Sequence, residues 1–378
     1  MVVDNPTIPE KLRRLNWWIV LVIVVLTGFG LAVLYSAAGG GGSFHPYAAK
    51  QGLRFALFLL LMLGLATIDL KWWLKLAYPS YGVVLFLLIL VEVLGKVAGG
   101  AQRWVDLGVI RLQPSEFMKI TIVLALARYY HNLPRVYVTS FYHMLPPLAM
   151  IAVPVGLVLL QPDLGTSILI VCGGIGVMFL AGVRAWLFWT GGALMAAALP
   201  VAWNLMHDYQ QRRVLIFLNP EMDPLGSGYH ITQSKIAIGS GGIFGKGYLQ
   251  GTQSHLNFLP EMHTDFVFAM MSEEWGLMGG LFLLACYGIL LGWGLWTAVT
   301  SRSQFGRLLA MGLTLTVFLY VAINLMMVMG LAPVVGVPLP LMSYGGSAML
   351  TVMIAFGILF SCSLNRDKVM LSEGPNPH

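Results

Sequence analysis

The sequence predicts an all-α, polytopic membrane protein, and three observations predict it. Of the 378 residues, 58% are apolar and only 10% are charged, where an average soluble domain carries roughly a quarter charged residues. The mean hydropathy is +0.79. The apolar residues also gather into about ten runs close to the roughly 20 residues that a helix needs to cross a bilayer core, where each backbone N–H and C=O has to be satisfied within the segment. A secreted soluble enzyme and a disordered regulator are thereby excluded. The net charge of +6 comes from basic residues scattered singly, so loop anchoring explains it and no nucleic-acid partner is expected. Cys172, Cys286 and Cys362 lie inside apolar runs, too dispersed for a disulfide framework or a metal cage.

The chain reads as one membrane domain over residues 1–378, with spans near Trp17–Ala37, Arg54–Leu70, Trp73–Leu94, Phe117–Tyr130, His143–Leu160, Thr166–Val183, Trp186–Asn204, Phe266–Val299, Leu308–Met329 and Ser347–Leu364. The first follows Lys11, Arg13 and Arg14. That would also suit a signal peptide ending at Ser36-Ala37-Ala38, but the apolar stretch exceeds a usual signal core and an uncleaved span is expected. The third carries Tyr78-Pro79 and the fourth is short. Alternation places Lys71, Lys75, Arg128, Arg135, Arg184, Arg302, Arg307, Arg366 and Lys368 on the side of the N-terminus, while the loops around Asp163 and Pro338 carry no positive charge. Positive residues favour the cytoplasm, so both termini are expected there. Arg103 and Arg111, expected outside, run against the trend.

One connection, residues 207–264, is too long for a tether and is expected on the outer face. It holds Arg212, Arg213, Lys235, a helix-compatible stretch His230–Ile238, and glycines from Gly239 to Gly247 that permit tight turns and close approach. Long structured loops are usually functional, although a solvated lid without chemistry is the competing reading.

Ionisable residues at membrane depth cost about 2.5–3.5 kcal/mol each and mark function by default. Glu116 and Lys119 stand three residues apart, on one helical face, as an ion pair that is either structural or substrate-binding. Gln161-Pro162-Asp163 ends the fifth span, as a plain turn or as a site. Asp265 begins the eighth span within five residues of Glu261 and His263. It is either a helix cap or part of an acid/base inventory at a lipid–water boundary. Glu273 and Glu274 lie deeper, and at least one has to face protein or a water-filled cavity. No phosphate-binding loop, dinucleotide fingerprint, zinc helix or nucleophile elbow is present.

Taken in order, Gly100-Ala101-Gln102-Arg103-Trp104, Gln113-Pro114-Ser115-Glu116-Phe117-Met118-Lys119, Gln161-Pro162-Asp163-Leu164-Gly165-Thr166, Asp223-Pro224-Leu225-Gly226-Ser227-Gly228-Tyr229-His230, Ala237-Ile238-Gly239-Ser240-Gly241-Gly242, the Asp265 motif, and Leu339-Pro340-Leu341-Met342-Ser343-Tyr344-Gly345-Gly346-Ser347 resemble the SEDS family of bacterial cell-wall polymerases across essentially the whole chain. Gly251–Glu261 and Pro333–Pro340 resemble its elongation branch more than its division branch. Leu341-Met342 stands where an aromatic pair is more usual.

The resemblance implies a ten-span glycosyltransferase that polymerises lipid II, an undecaprenyl-diphosphate-linked disaccharide pentapeptide, outside the cytoplasmic membrane, beside a class B penicillin-binding protein transpeptidase. On that reading Asp265 accepts the proton of the attacking sugar hydroxyl. An aspartate's ordinary pKa near 3.9 would leave such a base ionised without a large shift. Arg103, Lys119, Arg213, Lys235 and Lys246 are candidates to stabilise the leaving diphosphate, arginine being suited to bidentate contact. Glu116, Asp163, Glu261, His263 and Ser343 complete the expected substrate contacts. Asp163, Glu261 and Asp265 would also suit a divalent cation, magnesium or manganese. Two other classes compete: a lipid II transporter, since Gly/Pro-interrupted spans with buried charges describe a carrier, and a non-catalytic scaffold that activates the transpeptidase.

Overall fold

The structure, a computed structural model, describes residues 7–38, 47–94, 96–98, 101–106, 111–205, 208–219, 222–223, 227–252 and 263–370. Helices are α1 Ile8–Arg13, α2 Trp17–Ala37, α3 Ala48–Ala66, α4 Leu70–Leu94, α5 Pro114–Asn132, α6 Phe141–Leu160, α7 Leu164–Leu180, α8 Ala185–Leu205, α9 Asp208–Leu218, α10 Ser227–Ser240, α11 Val267–Thr300, α12 Gln304–Val328 and α13 Gly346–Leu364. A helix occupies each expected span. Seven of them are long and apolar enough to cross a membrane: α2, α3, α4, α6, α11, α12 and α13. The helix α7 and the apolar part of α8 are shorter, and α5 carries Glu116, Lys119 and Arg128. The protein is an all-α, multi-pass membrane fold.

At the centre, α12 packs against α5, α7, α11 and α13, with α3 on α13, α4 on α5, α6 on α7 and α2 on α11. Outward faces of α3, α4 and α6 leave leucines and valines exposed, as lipid-facing helices require, while α5, α12 and α13 bury most of their side chains. The prolines inside α4, α6 and α8 are tolerated where neighbouring elements satisfy the freed backbone groups.

Three expectations need correction. The second span begins earlier, at Ala48, because Gln51 is no obstacle to burial: its Nε2 donates to Ser343 O at 2.9 Å. The segment around Arg103 is a small antiparallel sheet, β1 Lys96–Ala98, β2 Ala101–Asp106 and β3 Arg111–Leu112, paired in that order with a register irregularity at Lys96/Val97. Val97, Trp104 and Val105 favour strands there.

The eighth span is not one straight rod. At Gly276 the backbone leaves helical geometry (φ 62°, ψ −158°), a region that glycine alone adopts readily. The glycine-rich turn after α10 fills the break. Leu277 N donates to Gly242 O and Met278 N to Ile243 O, while Lys246 N and Gly247 N donate to Glu273 O and Glu274 O, all at 3.0–3.1 Å.

At the opposite end of the bundle, Asp69 in the α3–α4 turn receives Lys11 Nζ at 3.1 Å and Lys368 Nζ at 2.9 Å. Partial burial pushes its carboxyl upward, but hydrogen bonds from Lys368 and Lys11 outweigh this and hold it below its ordinary value.

Candidate active site at the Asp265 end of the bundle

Five elements close a ring of polar contacts around one end of the bundle. Its first side is the head of α5. Glu116 and Lys119, one turn apart and buried, pair at 2.6 Å. The second side is α12: Tyr320 donates its hydroxyl to the other oxygen of Glu116 and places its ring 4.3 Å below the Lys119 ammonium. The bridge therefore sits in a site where each charge has two partners.

One turn further along α12, buried Asn324 donates its Nδ2 to Asp265 O at 2.9 Å and to Val337 O at 2.7 Å. This single amide fixes the approach to α11 against the loop that follows α12. Asp265 itself is half-buried and lies one residue before the helix cap, Phe266, which makes no side-chain capping bond. Gly336 (φ +71°) is close enough that a side chain there would begin 3.5 Å from Asp265 Oδ2. The same loop meets α7: a β-carbon at Gly165 would stand 2.6 Å from Val335 O, so only glycine lets the two backbones touch.

Asp163 closes the ring as a true cap of α7. Its Oδ1 accepts from Thr166 N at 3.1 Å, and its Oδ2 accepts from Thr166 Oγ1 and from Gln113 Nε2, each at 3.0 Å. Gln113 is the cap residue just before α5. Both Asp163 oxygens are thus engaged, and among the described residues, which do not include Glu261, no three His, Cys, Asp or Glu converge on a metal-sized site.

Other expected site residues lie around this ring. Arg103 on β2 donates Nε to Gln161 O at 2.8 Å and a terminal nitrogen to Pro162 O at 2.5 Å, bracing the turn that presents Asp163. His263 stacks on Tyr47 with ring centroids 4.3 Å apart, and its carbonyl accepts from Tyr344 N. Ser343 is a turn residue whose Oγ accepts from Leu339 N at 2.8 Å. Lys246 lies elsewhere: it pairs with buried Glu273 at 2.7 Å and holds the turn in the break of α11. Glu274 accepts from Ser36 of α2. Lys235 is exposed on α10, its stem crowding Gly330 beyond α12. The side chain of Arg213 and the whole of Glu261 lie outside the described residues.

Three participants were absent from the expected set. Asn324 and Tyr320 are polar groups inside an apolar span, a signal of the same kind as a buried charge. Arg54 sits 5.0 Å over the Tyr344 ring, next to the head of α13, where it had been read as the edge of a span. The arrangement offers chemistry of one kind: a half-buried carboxylate with its backbone held rigid, flanked by an internally neutralised pair and by cations at the rim.

The cell cycle protein family of FtsW, RodA and SpoVE matches residues 16–368. Among curated relatives, the peptidoglycan glycosyltransferase MrdB of Escherichia coli K12 is 46% identical over 374 residues, covering 98% of this chain and 99% of that protein. The probable peptidoglycan glycosyltransferase FtsW of Trichlorobacter lovleyi is 36% identical over 363 residues, 94% of each. Among solved structures, a chain described under structural coordination of polymerization and crosslinking by a peptidoglycan synthase complex superposes with a TM-score of 0.82 at 32% identity, over 94% of this chain and 99% of that one. The rod shape determining protein RodA of Thermus thermophilus gives 0.71 at 29%, over 94% and 98%.

Proposed function

This chain belongs to the FtsW/RodA/SpoVE (SEDS) family and is a peptidoglycan glycosyltransferase of the branch concerned with cell shape; we propose that it polymerises lipid II at the Asp265 ring, with Asp265 as the general base. The observation that carries the reading is the ring itself. Four separated motifs, at Glu116–Lys119, Asp163, Asp265 and Val335–Val337, meet around one half-buried carboxylate.

In the reaction, the 4-hydroxyl of one lipid-linked sugar forms a bond to the anomeric carbon of another while the bond to undecaprenyl diphosphate breaks. The hydroxyl proton passes to the Asp265 carboxylate and from there to water. Diphosphate leaves with its charge and needs no proton, only cations. Lys119 is already matched by Glu116 and Arg103 by two carbonyls, so both set the shape of the site, and the rim cations Arg54 and Lys235 are better placed to meet the phosphates. A ten-span arrangement with both termini cytoplasmic puts the ring on the outer face of the inner membrane, where lipid II is consumed and a class B penicillin-binding protein would act on the product.

A second reading has a specific observation behind it. A helix broken at Gly276 and refilled by a glycine turn is also a feature of carriers. Purified protein in liposomes with labelled lipid II separates the readings: glycan chains support polymerisation, altered leaflet distribution without polymer supports transport, and neither supports a scaffold.

A further inference from the structure

The three helices that begin at the Asp265 ring or end beside it also come together at the other end of the bundle. Beyond the C-terminus of α5 lies Arg135, beyond that of α7 lies Gly182, and α12 starts there with Gln304 and Arg307. Together they line a cavity of about 370 Å³ floored by Leu180 and Leu308, within the range of small-ligand sites.

The lining is unusual for its charge. Arg135 and Arg307 are both exposed, and among the described residues neither guanidinium meets a carboxylate or makes a hydrogen bond, their bonds being made by backbone alone. Gln304, by contrast, is fixed by donating to Tyr130 O at 3.0 Å. Two arginines lining one cavity with an apolar floor, at the ends of membrane-crossing helices, belong where lipid headgroups lie. Val136, Phe179 and Trp186 expose large apolar side chains beside the same helix ends, a surface for acyl chains. A soluble anion would use the charges and leave the apolar part unmatched. A zwitterionic lipid would bring its own cation against the arginines.

We infer that this cavity binds the headgroup of an anionic phospholipid, with its phosphate between Arg135 and Arg307, on the face opposite the catalytic ring. Basic pockets between spanning helices recognise anionic headgroups by this chemistry. The inference does not depend on what Asp265 does.

The test is native mass spectrometry of the full chain in mild detergent, titrated with phosphatidylglycerol or with phosphatidylcholine. Wild type should retain one phosphatidylglycerol in preference to phosphatidylcholine. The R135Q/R307Q variant should lose that preference by on the order of tenfold or more, with its thermal unfolding in phosphatidylcholine unchanged. The R13Q/R14Q variant, which removes two exposed charges elsewhere, should keep it. Undiminished preference in R135Q/R307Q, or an equal loss in R13Q/R14Q, would overturn the site. Displacement of the lipid by millimolar inorganic phosphate would overturn the lipid assignment in favour of a soluble-anion site.

Discussion

At the Asp265 end of the bundle, polar side chains are buried and answered by protein; at the Asp69 end, they are partly exposed and share their charges with water. Glu116, Lys119, Tyr320, Asn324 and Asp163 are all buried and bonded to one another or to backbone. Asp69, Lys11 and Lys368 keep between 12% and 30% of their side-chain surface in solvent. Deep burial obliges each charge to find a fixed partner, because an unpartnered one costs several kcal/mol. The difference teaches that the first set determines where a reacting group stands, while the second ties chain segments together at small energetic gain.

The largest effect that would sharpen this contrast is catalytic. Replacing Asp265 by Asn keeps shape and backbone contacts but removes the proton acceptor, so glycan synthesis by purified variant should fall by about 10²–10⁴-fold, with thermal stability nearly unchanged. Polymer at wild-type level would take Asp265 out of the reaction.

Next comes the buried pair. Glu116→Gln or Lys119→Met each leaves a charge uncompensated and should cost about 3–5 kcal/mol. The double variant should lose less than the sum, a coupling that a thermal or denaturant double-mutant cycle reads directly. Additive losses would contradict the pairing at 2.6 Å.

Smaller again is Gly276→Ala. A β-carbon there would stand 2.4 Å from Gly245 N and 2.6 Å from Ile243 O, and the backbone geometry alone disfavours it by about 1–3 kcal/mol. The expected outcome is a lower unfolding temperature together with faster proteolysis of the turn after α10. An unaltered variant would mean that the break in α11 tolerates a side chain.

The smallest effect belongs to Asp69. Its folded pKa lies below 3.8, so its contribution is fully present above that pH and lost as pH falls through the folded value. Asp69→Asn should therefore be less stable than wild type at neutral pH by under about 1 kcal/mol, and the two should converge in acid. A gap that persists in acid would give Asp69 a role other than its charge.

Much of this was legible in the sequence for local reasons. Spacing of three residues on a helix sufficed to pair Glu116 with Lys119, and the length of the apolar runs placed the helices within a few residues. The stretch His230–Ile238 was expected as helical and lies within α10. What was not legible depends on distant partners. Lys246 is 27 residues from Glu273, and nothing local distinguishes a lysine that holds a turn from one that meets a phosphate. The engagement of Asp163 by Gln113, 50 residues away, was hidden likewise, being a product of packing. The break at Gly276 was hidden because an apolar run reads the same whether its helix is continuous or refilled by another segment.

The Asp69 clasp has a bearing on the order in which the protein is made. Lys11 and Lys368 bind the same oxygen across 357 positions of sequence, 58 on one side and 299 on the other. During synthesis Asp69 meets Lys11 early, but Lys368 reaches it only after every intervening helix has been inserted. The second bond is thus the later of the two to form. A contact absent from the transition state acts on escape from the native state. Losing Lys368 should leave the rate of assembly unchanged and let the finished protein come apart sooner, so the last basic residue of the described chain works as a latch on the α3–α4 turn.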